Sequence, residues 1–299
     1  MTDRQHLTRA LWTLFEPIHA VAYFSPEARD AFAAIGLPRY WDSYFAGRAA
    51  PLGAIGAAPV AAIFCGFAPS IVARALPAAW TTVTPDAALE ARSLGAAASL
   101  RGFVPDAGVV ARAADALTDI AARADTVGRP LAAANRALPI ESDPYRRLWQ
   151  ATATLREHRG DGHVVALVAG DIAGLSTIVL RCGLDLDATA MQRSRGWSDD
   201  EWQATRQELT ARSLIGDDFR ITAAGSAALA TAEHLTNALA AGPWAHLDDS
   251  ELRKIALLLR PLASAVGTLF PYPNPIGMPE PWDPKSDPAA LQIARTPRA

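Results

Sequence analysis

Arg156, Glu157, His158, Arg159, Gly160, Asp161, Gly162 and His163 follow one another without a break, so two imidazoles, two carboxylates and two guanidiniums share one short stretch. Gly160 and Gly162 allow a sharp backbone turn, which would bring His158 and His163 together. His163 then suits a general base, with Asp161 or Glu157 orienting it, and His158 is a further catalytic candidate. Arg159 suits a bidentate grip on a carboxylate or phosphate. Two histidines with a carboxylate could hold a metal, but their spacing matches no metal-ligand signature, and none is assigned. The same residues equally fit a polar helix end, with Glu157 and Asp161 paired to Arg156 and Arg159.

His19 and Tyr23 form a second pair, one helical turn apart on one face. A histidine among apolar neighbours is commonly a satisfied core residue, and ligand binding is the alternative. Arg48, following Gly47, is a third candidate, either a solvated loop arginine or a ligand contact. Trp149, like Trp41, Trp197 and Trp202, is expected first in the core and second as a pocket wall. The chain has no G-x-S-x-G elbow, phosphate-binding glycine loop or dinucleotide fingerprint. Serine-hydrolase and nucleotide chemistry are therefore unsupported, and no cofactor is specified.

The elements that must position these residues follow from periodicity and punctuation. Leu11, Leu14, Phe15, Ile18 and Val21 mark one buried face of a helix over 7–24, which Pro17 should kink or split. Ser25-Pro26, Thr84-Pro85-Asp86, Pro105-Asp106 and Asp143-Pro144 read as helix starts. The last opens a helix over 145–157, expected to break at Gly160 to Gly162, with short elements at 163–169 and 172–182 beyond. A final apolar helix over 252–270 contains Pro261 and precedes the proline-rich FPYPNPIGMPEPWDP. The polar, proline-bounded stretch 138–144 separates an N-terminal helical domain (1–138) from a second domain (139–270), with a tail over 271–299.

Residues 195–225 carry the most organised signal. Ser198 and Glu201 form a capping box, and Trp197 and Trp202 a hydrophobic staple, at the start of a helix reaching about residue 214. Gly216-Asp217-Asp218 is a turn, 219–222 a short strand, and Thr222 opens the next helix. Helix, two-stranded wing and helix is the order of a winged helix. Its charge is wrong for DNA, however. Asp199, Asp200, Glu201 and Glu208 outnumber Arg206 and Arg212, and three acids in a first turn complement the helix dipole while repelling phosphates. Asp217 and Asp218 outnumber Arg220 in the wing, and only Arg193 and Arg195 compensate nearby.

Composition narrows the class further. With 50% hydrophobic and 20% charged residues, the chain is globular, and its alanine content favours helix. A net charge of −3 gives no sign of a nucleic-acid binder. Cys65 and Cys182 are expected as reduced, partly buried thiols. The charged N-terminus is no signal peptide, and the apolar run 51–77 is too interrupted by glycine and proline to span a bilayer. The expectation is a cytoplasmic protein without a membrane partner; oligomeric state is not specified.

The phrases FEPIHAVAYF, YFAGRAAPLGAIGAAPV, LREHRGDGHVVALV, RGWSDDEW, LTARSLI and FPYPNPIGMP resemble the actinobacterial SCO-type helix-turn-helix family, also labelled SalK. The resemblance spans nearly the whole chain. It implies a mainly α, winged-helix-like fold with a MarR-like second half, and it carries over no catalytic residue. The two halves also share an order of punctuation that fits a duplicated unit, in which Arg48 and Arg159 would occupy matching loops facing one cavity. The expected function is binding or transformation of a small organic molecule between the halves, with nucleic acid disfavoured. The alternative is a MarR-like ligand-responsive transcription regulator.

Overall fold

Ser25, Thr84, Asp106, Asp143, Ser198 and Thr222 each accept a backbone N–H in the first turn of a helix, so short polar side chains set where the helices begin. In the computed structural model, which describes residues 3–272, 274 and 276–283, these and other starts give a mainly helical chain. The helices are α1 (Asp3–Phe24), α2 (Pro26–Ala34), α3 (Tyr40–Ala49), α4 (Ala57–Ile63), α5 (Pro69–Ala75), α6 (Ala79–Thr82), α7 (Pro85–Phe103) and α8 (Ala107–Ala122). They continue with α9 (Pro130–Arg136), α10 (Pro144–Ala169), α11 (Leu175–Cys182), α12 (Ala188–Arg195), α13 (Asp199–Ala211), α14 (Ala223–Ala240) and α15 (Asp249–Gly267). Pro17 and Pro261 lie inside α1 and α15, which run on through them.

α10 is the axis of the fold and packs against α1, α7, α8, α9 and α14. It runs unbroken through Gly160 and Gly162, which corrects the expected break there. The reason is tertiary. A Cβ at Gly162 would lie 2.6 Å from Arg129 Nη1, and that buried guanidinium needs the space to reach His158 O at 2.7 Å and Leu239 O at 3.0 Å. The glycine lets a neighbour approach, and packing outweighs its roughly 1 kcal/mol helix penalty.

The main core joins α1, α8, α10, α15 and the end of α7, so apolar residues from both sides of residue 138 share it. A second core gathers Phe32, Phe45, Val60, Phe64, Phe67 and Leu76 from the first part of the chain. A third lies under α11 to α14 around Ile178, Trp202, Leu209 and Ile215. Among the described residues no single helix is long and apolar enough to cross a membrane. Cys65 and Cys182 are free thiols, each half-buried.

The capping box of Ser198 and Glu201 forms as expected, and α12, the turn and α13 follow in helix-turn-helix order. The two-stranded wing does not form among the described residues. One antiparallel bridge, Ile215 to Ile221, stands in its place. Phe219, expected in a strand, has φ +67° and lies under the Arg206 guanidinium at 4.4 Å. That left-handed residue turns the chain too tightly for a ladder to continue.

The tail folds back on the main core. Asn274 binds Met278 through both its amide N and O, and Trp282, 2% exposed, donates its backbone N–H to Thr13 Oγ1 at 2.9 Å. Residues 284–299 of the expected tail lie outside the described residues.

Candidate functional site

Three helices present their polar groups at i, i+4 spacing toward one point. α1 brings His19 and Tyr23, α3 brings Tyr40, Tyr44 and Arg48, and α10 brings Trp149, Ala153 and Glu157. Arg92 on α7 and Asn135 on α9 complete the walls. Together with Ala22 and Phe32 they enclose a narrow cavity of about 30 Å³, opening beside Arg29 and Tyr40, which are both exposed. That is space for water or one small group with the walls in place.

Glu157 is the electrostatic centre. Arg48 grips it with two parallel bonds, Nε to Oε1 and Nη2 to Oε2, both 2.9 Å. Arg156 Nη1 adds a third at 2.9 Å, and Arg156 also faces Glu16 at 3.5 Å. Burial alone would raise the Glu157 pKa, but Arg156 and Arg48 outweigh it and hold the carboxyl far below its ordinary range. Arg48 also donates to the Tyr44 hydroxyl at 3.3 Å and lies over Phe64 at 3.9 Å. Burial pushes the Tyr44 phenol up, yet Arg48, Arg156 and Arg195 overcome this and leave it below its usual value.

His19 stacks on Trp149, with ring centres 5.5 Å apart, and its Nε2 meets the Tyr23 hydroxyl at 2.9 Å. Trp149 Nε1 donates back to His19 O at 3.0 Å. Burial, reinforced by Arg156, holds the His19 pKa well below 6.5, so the ring is neutral at pH 7. Burial raises the Tyr23 phenol, which keeps its proton.

The expected candidates thus divide. His19, Tyr23, Arg48 and Trp149 line the cavity, whereas His158, Arg159, Asp161 and His163 do not. A helix, unlike a turn, spreads those four around its circumference. His158 Nε2 meets Asp125 Oδ1 at 2.8 Å, and His163 Nδ1 meets Thr236 Oγ1 at 2.9 Å, so the two imidazoles serve different neighbours. Burial drives the His163 pKa down to about 4. Arg159 holds the chain's own groups, Glu233 Oε1 and Asn237 Oδ1, both at 2.8 Å, and lies over Trp12 at 4.5 Å. Arg48 and Arg159 do not occupy matching loops, since both are helical, in α3 and mid-α10. Sequence reasoning overlooked Glu157 as an anchor, and also Arg92, Tyr44 and Arg156. The repeats Tyr40, Tyr44, Arg48 and Trp149, Ala153, Glu157 at four-residue intervals were the available signal.

Asp161 yields a pH prediction. Its Oδ2 accepts from Ala132 N at 2.9 Å, but burial, with Glu157 adding, raises its pKa to about 6. A raised carboxyl binds its proton more tightly folded than unfolded, so stability falls as pH rises from about 4 to 6. Asp161→Asn stays neutral and still accepts from Ala132. It should stabilise the protein by on the order of 2 kcal/mol above pH 6 and by little below pH 4. Denaturant titrations of both proteins across that range check it; parallel curves would disprove the shift.

The helix-turn-helix end packs on residues just behind the cavity wall. Ala68 N donates to Arg195 O at 3.0 Å, and Trp197 Nε1 to Gly66 O at 3.3 Å. The Arg195 guanidinium lies over Phe67 at 4.4 Å, and Phe67 in turn packs on Tyr44, with ring centres 5.4 Å apart. Gly196, at φ +77°, fits where a Cβ would lie 2.8 Å from Ile71 Cβ, so the turn is seated on the first part of the chain.

On α13, Asp199, Asp200, Glu201 and Glu208 are exposed. Arg206 on α13 is engaged with Phe219, and Arg212 at its C-cap with Glu208 and with Asp171 O at 2.8 Å. No curated protein and no solved structure matches the chain. A helix-turn-helix family matches it over residues 8–270, spanning both halves and every wall of the cavity, and the chain belongs to that family.

Proposed function

We propose that this helix-turn-helix chain binds or transforms a small organic molecule in the cavity among α1, α3, α7 and α10, and that DNA is not its main partner. The observation that carries this reading is the cost of the walls. Arg48, Arg156, Glu157 and Glu16 are all largely buried, with side chains 18% exposed or less. Buried ion clusters are seldom worth more than well-packed apolar side chains, so fold stability alone gives little reason to build one. A cavity lined by few, fixed polar groups among aromatic rings has the lining of a small-molecule site, and at about 30 Å³ it admits only a very small one.

Ala22, a half-buried cavity wall, offers the test. Ala22→Val should fill the space of about 30 Å³ at an overpacking cost of about 1–3 kcal/mol and leave the chain folded. Small organic acids, amides and amines titrated into wild type should change the tryptophan emission, because Trp149 faces the cavity. The plugged variant should show no such response. Equal responses in both proteins would place binding elsewhere and sink the proposal.

A MarR-like, ligand-responsive regulator is the second reading, as the resemblance to the SCO-type proteins would have it. It is favoured by the path from Arg195 through Phe67 to Tyr44, along which an occupant could shift the helix-turn-helix turn.

A further inference from the structure

We propose that the cavity takes a small organic carboxylate, its negative charge set against Arg92 and His19 Nδ1. This rests on the small-molecule reading above and narrows it to a ligand class.

Charge bookkeeping around the cavity does not close. Arg48, Arg92 and Arg156 face only Glu157 and Glu16. Arg92 is the residue without a counter-ion. It is 7% exposed, and its polar partners are neutral, Gly47 O at 3.1 Å and Asn135 Oδ1 at 3.0 Å. Its guanidinium lies over the Trp149 ring at 5.2 Å. Among the described residues no carboxylate comes within ion-pair distance of it, and two of its N–H groups are spent while the others are not. A buried guanidinium in that state costs free energy, and burial pulls its pKa down to about 10.

His19 supplies an independent observation. Its Nδ1 is buried without a hydrogen-bond partner, although the residue is 2% exposed and lines the same cavity as Arg92. In the tautomer that a carboxylate would select, the Tyr23 hydroxyl donates to Nε2 and Nδ1–H is free to donate to the ligand. Both open groups are therefore donors, and one is cationic. One added negative charge supplies the counter-ion that Arg92 lacks. A dianionic phosphate would carry a larger desolvation cost into a mainly apolar space. Tyr23, Phe32, Ala22 and Ala153 offer the ligand's body a flat apolar surface.

The test is calorimetric titration of the full chain with formate and acetate, their neutral isosteres formamide and acetamide, and inorganic phosphate. Wild type, Arg92→Lys and Arg92→Gln are compared near neutral pH. The carboxylates should bind wild type at least tenfold more tightly than the amides, and phosphate should not displace them. Arg92→Lys should keep most of that preference and Arg92→Gln should erase it. If Arg92→Gln fails to fold, the carboxylate-to-amide ratio in wild type and Arg92→Lys decides alone. Equal binding of acids and amides, or an undiminished preference in Arg92→Gln, overturns the carboxylate assignment and leaves the small-molecule reading standing. Displacement by phosphate overturns it in favour of an inorganic oxyanion. No binding by any probe overturns both.

Discussion

Replacing Glu157 by glutamine is expected to lower the melting temperature by roughly 10 °C, the largest effect of any single change in the cavity wall. The carboxylate receives three hydrogen bonds from Arg48 and Arg156. Glutamine leaves those guanidiniums buried together with Glu16 as their remaining anion. Breaking a buried ion pair in this way costs about 3–5 kcal/mol. The pH dependence follows from the depressed pKa of Glu157. Its contribution is fully present above the ordinary carboxylate range near pH 4.5 and is lost as pH falls through the folded value, which lies much lower. The gap between wild type and Glu157→Gln should therefore narrow steadily below about pH 4.5 in acid titrations. A constant gap would mean that the carboxylate is protonated or solvated when folded. Replacing Arg48, Arg156, Glu157 and Glu16 together by Met, Met, Leu and Leu should cost far less than the single change, since the apolar set leaves none of the cluster's charges unpaired. That contrast would show that the cluster is kept for something other than stability.

Duplex DNA should bind the wild-type chain no better than non-specifically, with a Kd weaker than about 10⁻⁴ M at physiological salt. Asp199, Asp200 and Glu201 fill the exposed first turn of α13, the part of a recognition helix that enters the major groove. Arg206 and Arg212 are held by Phe219, Glu208 and Asp171, which leaves only Arg193 and Arg195 at the end of α12 to offset them. Replacing Asp199 and Asp200 by lysine makes the test sharp. Each phosphate contact adds roughly one power of ten at about 50 mM salt, so the double variant should gain roughly a hundredfold. Fluorescence anisotropy with a labelled duplex, repeated across salt concentrations, reads both the affinity and the slope. Tight, sequence-dependent binding by wild type would favour the regulator reading outright.

Local signals in the sequence carried far into the fold. Ser25, Thr84, Asp106, Asp143, Ser198 and Thr222 all cap helices, because N-cap chemistry depends on neighbours within one turn. The failures were tertiary. Gly160 and Gly162 read as a break by propensity, yet α10 runs through them because Arg129 needs the room at Gly162. That one error folded the densest polar cluster into a turn and drew His158 and His163 together, when a helix sends them to Asp125 and Thr236. Glu157 was missed for another reason: the expected helix over 145–157 already aligned it with Trp149 and Ala153, but it was read only as a partner within the polar cluster. His19 and Tyr23 were legible because their spacing lies within one helix. Arg92 was not, since its meaning is the lack of a counter-ion among residues brought from α3, α9 and α10. No spacing rule reveals that.

Native mass spectrometry of the wild-type chain and Ala22→Val, each mixed with the small-molecule fraction of a cell extract, tests the central claim most directly. The account predicts one discrete adduct on wild type, lost on denaturation and absent from the plugged variant. An unliganded wild-type mass, or the same adduct on both proteins, would contradict it.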